Sequence, residues 1–144
     1  MKNELEVLVM FEEDRAEQNV TAYIPCLKLG AHGDTVEEAR MNAVDLVEIE
    51  MEKGRLQDVC SHDEARIETL RINGIRLMVM FEQQEAEQVT AYIPALRLGV
   101  RGNDTEEART MAMELMKIEL LNRKNKELEE NVVFEKLRVA VPVA

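Results

Sequence analysis

The chain is poor in the residues that most enzyme chemistry requires. Its 144 residues include one serine, Ser61, two histidines, His32 and His62, and two cysteines, Cys26 and Cys60. A single serine outside any Gly-x-Ser-x-Gly run excludes a nucleophile elbow. The six glycines never gather ahead of a helix, so there is no phosphate-cradling loop. Two cysteines do not make a disulfide framework, and Cys60-Ser61-His62 with Cys26 and His32 lacks the regular spacing of a four-ligand zinc site. No metal, cofactor or catalytic residue is expected. No apolar run reaches the roughly 18 residues that a membrane span needs. Glu4 and Glu6 stand where a signal peptide carries bases and then an apolar stretch. The expected compartment is the cytoplasm, with both thiols reduced.

Basic residues are also scarce. Lys and Arg number 18 against 29 Asp and Glu, a formal net charge of −11. That balance argues against a nucleic-acid backbone as a direct partner and permits a basic protein. The imbalance is local. Residues 1–73 hold 8 bases against 17 acids, and residues 74–144 hold 10 against 12.

What the chain does have is a repeat. Val20-Thr21-Ala22-Tyr23-Ile24-Pro25 recurs letter for letter as Val89-Thr90-Ala91-Tyr92-Ile93-Pro94. Val9-Met10-Phe11-Glu12 and Val79-Met80-Phe81-Glu82 precede the two copies; Glu37-Glu38-Ala39-Arg40 and Glu106-Glu107-Ala108-Arg109 follow them. Such self-similarity is read as a tandem duplication.

Each copy reads β-β-β-α-β. Leu5, Val7, Val9 and Phe11 alternate along a first strand, matched by residues 75–81. The polar connection after it is one residue shorter in the second copy, as a loop or bulge tolerates. Residues 20–24 form a second strand that Pro25 ends. Residues 27–32 form a third extended segment, broken by Gly30. Thr35 with Glu38, and Asp104 with Glu107, are capping boxes that open helices. One helix carries the apolar stripe Val36, Ala39, Ala43, Leu46 and Val47 and stops at Gly54. The other carries Ala108, Ala112, Leu115 and Met116 and runs toward Asn125. Residues 67–72 and 134–139 are closing strands, the latter continuing toward Ala144. Asn73-Gly74 between two alternating strands is a type I′ hairpin signal, so the last strand of copy one should pair with the first of copy two.

Met41, Met51, Met111, Met113 and Met116 cluster on the helices, where methionine usually fills a core. Together with Val44, Ile49 and Ile118 they widen the apolar face beyond one stripe. The surplus is expected to bury one helix against the other or to build a homo-oligomer through the helix faces.

The strand ending in Ala-Tyr-Ile-Pro, then a short loop and Gly33-Asp34-Thr35-Val36-Glu37-Glu38-Ala39 opening a helix, resembles the HicB-like antitoxin family. The resemblance spans both copies. It implies a partial ribonuclease-H-like unit whose role is to bind and block HicA, a small basic ribonuclease toxin. Three features depart from the family pattern. The unit is present twice, the loop reads Cys26-Leu27-Lys28-Leu29-Gly30 without a Pro-Gly turn, and no DNA-binding domain is expected in the residues after Val139.

The resulting expectation is an α+β protein of two tandem β-β-β-α-β HicB-like units packed as an intramolecular pseudo-dimer. The repeats are 1–72 and 75–144, joined by the Asn73-Gly74 turn. The chain is expected to be a non-enzymatic module that sequesters a basic HicA-like protein, with Tyr23, Leu27, Tyr92 and Leu96 as partner-binding anchors. Two alternatives stand beside it: a self-assembling domain with no toxin, and a divergent ribonuclease-H-type nuclease. The nuclease needs acids converging on two metals; Glu12 and Glu82 end their strands with no second acid placed beside them by the sequence.

Overall fold

In both copies, strict alternation of apolar residues gives strands that bury one face beneath a helix. The computed structural model describes residues 4–14, 16–54, 65–84, 87–122 and 132–140. Cys60, His62, Asn125 and residues 141–144 lie outside them. The elements run β1 (Glu4–Asp14), β2 (Asn19–Ile24), β3 (Leu29–Gly33), α1 (Val36–Glu52), β4 (Ala65–Ile72), β5 (Ile75–Gln83), β6 (Val89–Ile93), β7 (Leu98–Gly102), α2 (Thr105–Asn122) and β8 (Val132–Ala140). They form two antiparallel four-stranded sheets, ordered β3-β2-β1-β8 and β4-β5-β6-β7. The class is α+β.

The closing strands have changed places. β4, the last strand of the first repeat, pairs with β5 of the second, and β8, the last strand of the second, pairs with β1 of the first. The registers correspond: Val7 faces Leu137 and Leu5 faces Val139, just as Leu77 faces Leu70 and Ile75 faces Ile72. The two compact units are therefore Met1–Asp63 with Asn131–Ala144, and Glu64–Glu130. This corrects the expected division at 1–72 and 75–144. The Asn73-Gly74 hairpin commits the first repeat's last strand to the second unit, and the first unit takes β8 in exchange.

The turn itself is as expected. Asn73 and Gly74 both have positive φ, 50° and 82°, as a type I′ turn requires. The extra residue in the first repeat is absorbed in the β1–β2 turn, because Phe11 still faces Ala22 as Phe81 faces Ala91. There the Asp14 carboxylate accepts from the Ala16 and Glu17 amides. Gly30 does not break β3; it pairs with Tyr23 inside the ladder.

Each sheet buries one face beneath its helix. Val7, Val9, Phe11, Val20, Ala22, Ile24, Leu137 and Val139 pack with Ala39, Ala43 and Val47 of α1. Leu70, Ile72, Leu77, Val79, Phe81, Val89, Ala91 and Ile93 pack with Ala108, Ala112 and Met116 of α2. Alanines at the contact let each helix sit close to its sheet, and one glycine makes that approach possible. A Cβ on Gly33 would stand 2.4 Å from the Ala39 amide nitrogen, and one on Gly102 would stand 2.5 Å from that of Ala108.

Both helices start on their capping boxes. Thr35 Oγ1 accepts from the Glu38 amide at 3.1 Å, and Asp104 Oδ1 from the Glu107 amide at 2.7 Å. The returning glutamates accept from the amides of Asp34 and Asn103, one residue before the caps. α1 stops where Gly54 turns left-handed, at φ 75°.

One expectation fails at the hairpin between β2 and β3. Cys26 is disulfide-bonded and is not a free thiol. A count of two cysteines excludes a framework but permits one bridge.

Candidate interaction surface

A helix rotates about 100° per residue, so Ala39, Ala43 and Val47 fix which face of α1 meets the sheet. The opposite face carries Glu37, Met41, Asp45, Glu48 and Glu52, with Glu38 and Ile49 at its margin, all exposed. Met41 is 68% exposed and Ile49 47%. The one base on the helix, Arg40, is engaged elsewhere: its guanidinium makes two hydrogen bonds to the Glu135 carboxylate and lies over the Phe11 ring. Among the described residues, Asp45, Glu48 and Glu52 have no ion-pair partner.

Glu52 in the last turn of α1, and Glu48 four residues before it as a like-charge neighbour, are placed against helix stability. Carboxylates at a helix C-terminus face the negative end of the macrodipole, each at a cost of about 0.3–1 kcal/mol. The last turn of α1 contains no base. Glu50 of that turn is buried and lies 3.7 Å from Lys53 at the cap, whereas Glu48 and Glu52 point to solvent.

The equivalent face of α2 has a different character. By the repeat alignment Met41 becomes Thr110, Glu48 becomes Lys117 and Glu52 becomes Leu121, while Asp45 becomes Glu114 and Ile49 stays isoleucine as Ile118. Ile118 is 56% exposed and Leu121 74%, with Met111 at their edge. The two repeats thus share their cores and differ on the outer faces of their helices.

The residues expected to anchor a partner lie elsewhere. β2 and β6 are interior strands, each flanked on both sides. Tyr23 and Tyr92 are half-buried there, and each has interactions within the chain. Leu27 packs partly against the first core, and Leu96 belongs to the second core at 3% exposure. Leu96 is thus core, not an interface anchor. The hairpin explains this: the Leu27 and Leu96 amides donate to the carbonyls of Ile24 and Ile93, folding both leucines back over the sheet ends.

Met41 belongs to the helix methionines expected to fill a core or, as a surplus, to serve a helix–helix or oligomer contact, and within the chain it is exposed. The available signal was angular, since Met41 stands about 160° around the helix from Ala43, across from the core stripe. Val44, Met51 and Met113, named with it, do pack against the cores.

Electrostatics at the paired strands are specific. Arg109 forks onto Glu68 as Arg40 does onto Glu135, at 3.0 and 2.6 Å, and lies over Phe81. The hydrogen bonds from Arg109 hold the Glu68 carboxyl below its ordinary range, with the charges of Arg109 and Arg66 acting in the same direction. Among the described residues, no three of His, Cys, Asp and Glu are gathered as a metal ion would require, and no helix is long and apolar enough to cross a membrane. No family model, curated protein or solved structure matches this chain.

Proposed function

We propose that the chain is a binding module of HicB-like type, a tandem duplication whose two units stand for a pseudo-dimer. In this reading it holds a small basic protein against the outer face of α1. The carrying observation is the set of acids Asp45, Glu48 and Glu52, with no ion-pair partner among the described residues, around the exposed Met41 and Ile49. Glu52 sits at the negative end of its own helix and Glu48 repels it from four residues away, and selection retains such a cost most readily where function needs it. An apolar centre with charged surroundings is also the usual anatomy of an interface, the centre supplying the anchor and the rim charges speeding encounter.

The role is non-enzymatic in this reading, and the partner is a HicA-like toxin or another small cation-rich protein. The test is affinity capture from the source cells in low and in high salt, with the retained proteins identified by mass. The expected result is a small basic protein held in low salt and released by salt. Retention of acidic or neutral proteins alone would count against it. Cleavage of RNA or DNA with Mg²⁺ or Mn²⁺ by the purified chain, lost on Glu82→Gln, would favour the nuclease alternative instead.

A further inference from the structure

We infer that the outer face of α2 is a self-association surface that takes a second copy of this chain, through a twofold antiparallel contact of α2 with α2. The inference does not rest on the basic-partner reading, which concerns α1.

The first observation is the exposed apolar row. Met111, Ile118 and Leu121 follow one another at spacings of seven and three along α2, the pattern of a seam between two helices. The second is the charge on that row. Glu114 lies within it and Lys117 beside it, both exposed, and Lys117 makes no ion pair among the described residues.

A twofold contact places the same patch on both partners, so the patch must complement itself. About an axis crossing α2 near residue 116, Met111 of one copy lies opposite Leu121 of the other. At the same level Lys117 of each copy reaches Glu114 of the other. One acid and one base, one turn apart, satisfy that symmetry.

The net charge narrows the choice further. Two copies that each carry −11 repel, so they meet best where the surface is least negative. The α1 face lacks a free base and opposes such a contact. The α2 face carries a lysine and a leucine at the positions where α1 has Glu48 and Glu52. A single helix pair is a small interface, so the dimer is expected to be weak and reversible, with a Kd on the order of 10–100 µM.

Sedimentation equilibrium of the full chain, from about 5 µM to about 1 mM, tests this. The expected result is a monomer–dimer equilibrium. Lys117→Glu with Leu121→Glu should abolish the dimer, because it gives α2 the residues of α1. Glu114→Lys alone should raise the Kd about tenfold or more, and Glu114→Lys with Lys117→Glu should restore it. Met41→Thr on α1 should leave it unchanged. Circular dichroism of each variant confirms that the fold is kept, and because every substituted side chain is exposed, unfolding is not the expected cause of a loss. A monomer at every concentration would overturn the inference. So would a dimer indifferent to Lys117→Glu/Leu121→Glu, or one lost with Met41→Thr.

Discussion

Arg40 and Glu135 are 95 residues apart in sequence and form a two-point ion pair, with Nε and one terminal nitrogen 2.9 and 3.0 Å from the two carboxylate oxygens. The pair ties the helix of the first repeat to the strand that the second repeat contributes. The guanidinium also stacks on Phe11, with its carbon 5.3 Å from the ring centroid. Arg109, Glu68 and Phe81 repeat the arrangement in the other unit. Both pairs are about one-third exposed or less, so solvent screens them and each contributes modestly. Their geometric effect is selective: only the register that places Glu135 across from Val9, or Glu68 across from Val79, brings the carboxylate under its arginine.

A double-mutant cycle on Arg40→Leu and Glu135→Leu should give a coupling of about 0.5–1 kcal/mol in urea unfolding. Arg40→Lys should lose most of it, because an ammonium neither forks nor stacks as a guanidinium does. Additive single and double variants would show that the pair is incidental to the exchange of strands.

Glu68 titrates below its ordinary range because Arg109 hydrogen-bonds its charged form. Its contribution is present above the unfolded glutamate pKa of about 4.3 and is lost as pH falls through the lower folded value. Wild type should therefore exceed Glu68→Gln in stability at pH 7, with the gap closing below about pH 4. A gap that stays constant to pH 3 would remove the ion pair as its source.

Three glycines should behave differently for different reasons. Gly33→Ala sets a methyl group against helix backbone and should cost about 1–3 kcal/mol. Gly74 has open space around it, so Gly74→Val acts through φ alone and should cost about 1–2 kcal/mol. Gly30→Ala, with its nearest neighbour at 3.4 Å, should be the mildest of the three. Melting temperatures that rank Gly30→Ala as the worst would refute this ordering.

Much of the fold was legible because the repeat made each element visible twice. Alternation at Leu5, Val7, Val9 and Phe11 marked a strand, and Thr35 and Asp104 marked helix starts. The destination of the last strand was half legible. Asn73-Gly74 announced where β4 goes, since a two-residue turn is local chemistry. No local signal said that β8 would cross to β1; that follows from the vacancy that β4 leaves and from the match of Glu135 to Arg40. The exposure of individual side chains was less legible, for a similar reason. Tyr23 and Leu27 look like anchors by residue type, but their exposure depends on neighbouring strands and on a hairpin that folds leucine inward. Met41 looks like core by residue type, and only its angle on α1 exposes it.

The acids on α1 make a prediction about stability before any partner is in hand. Glu48→Lys with Glu52→Leu gives α1 the residues of α2, removes a carboxylate from the negative end of the helix and ends the like-charge repulsion between positions 48 and 52. The variant should melt a few degrees higher than wild type, for a gain of about 1 kcal/mol. A lower melting temperature would mean that these acids serve the fold.

The claim that α1 holds a basic partner is tested most directly by one rate. The association rate constant of the captured basic protein should be measured at low ionic strength with wild type and with the Glu48→Lys/Glu52→Leu chain. The account predicts at least a tenfold slower association for the variant, because steering by a charged face raises on-rates by about 10–10³. Equal rates for the two chains would contradict it.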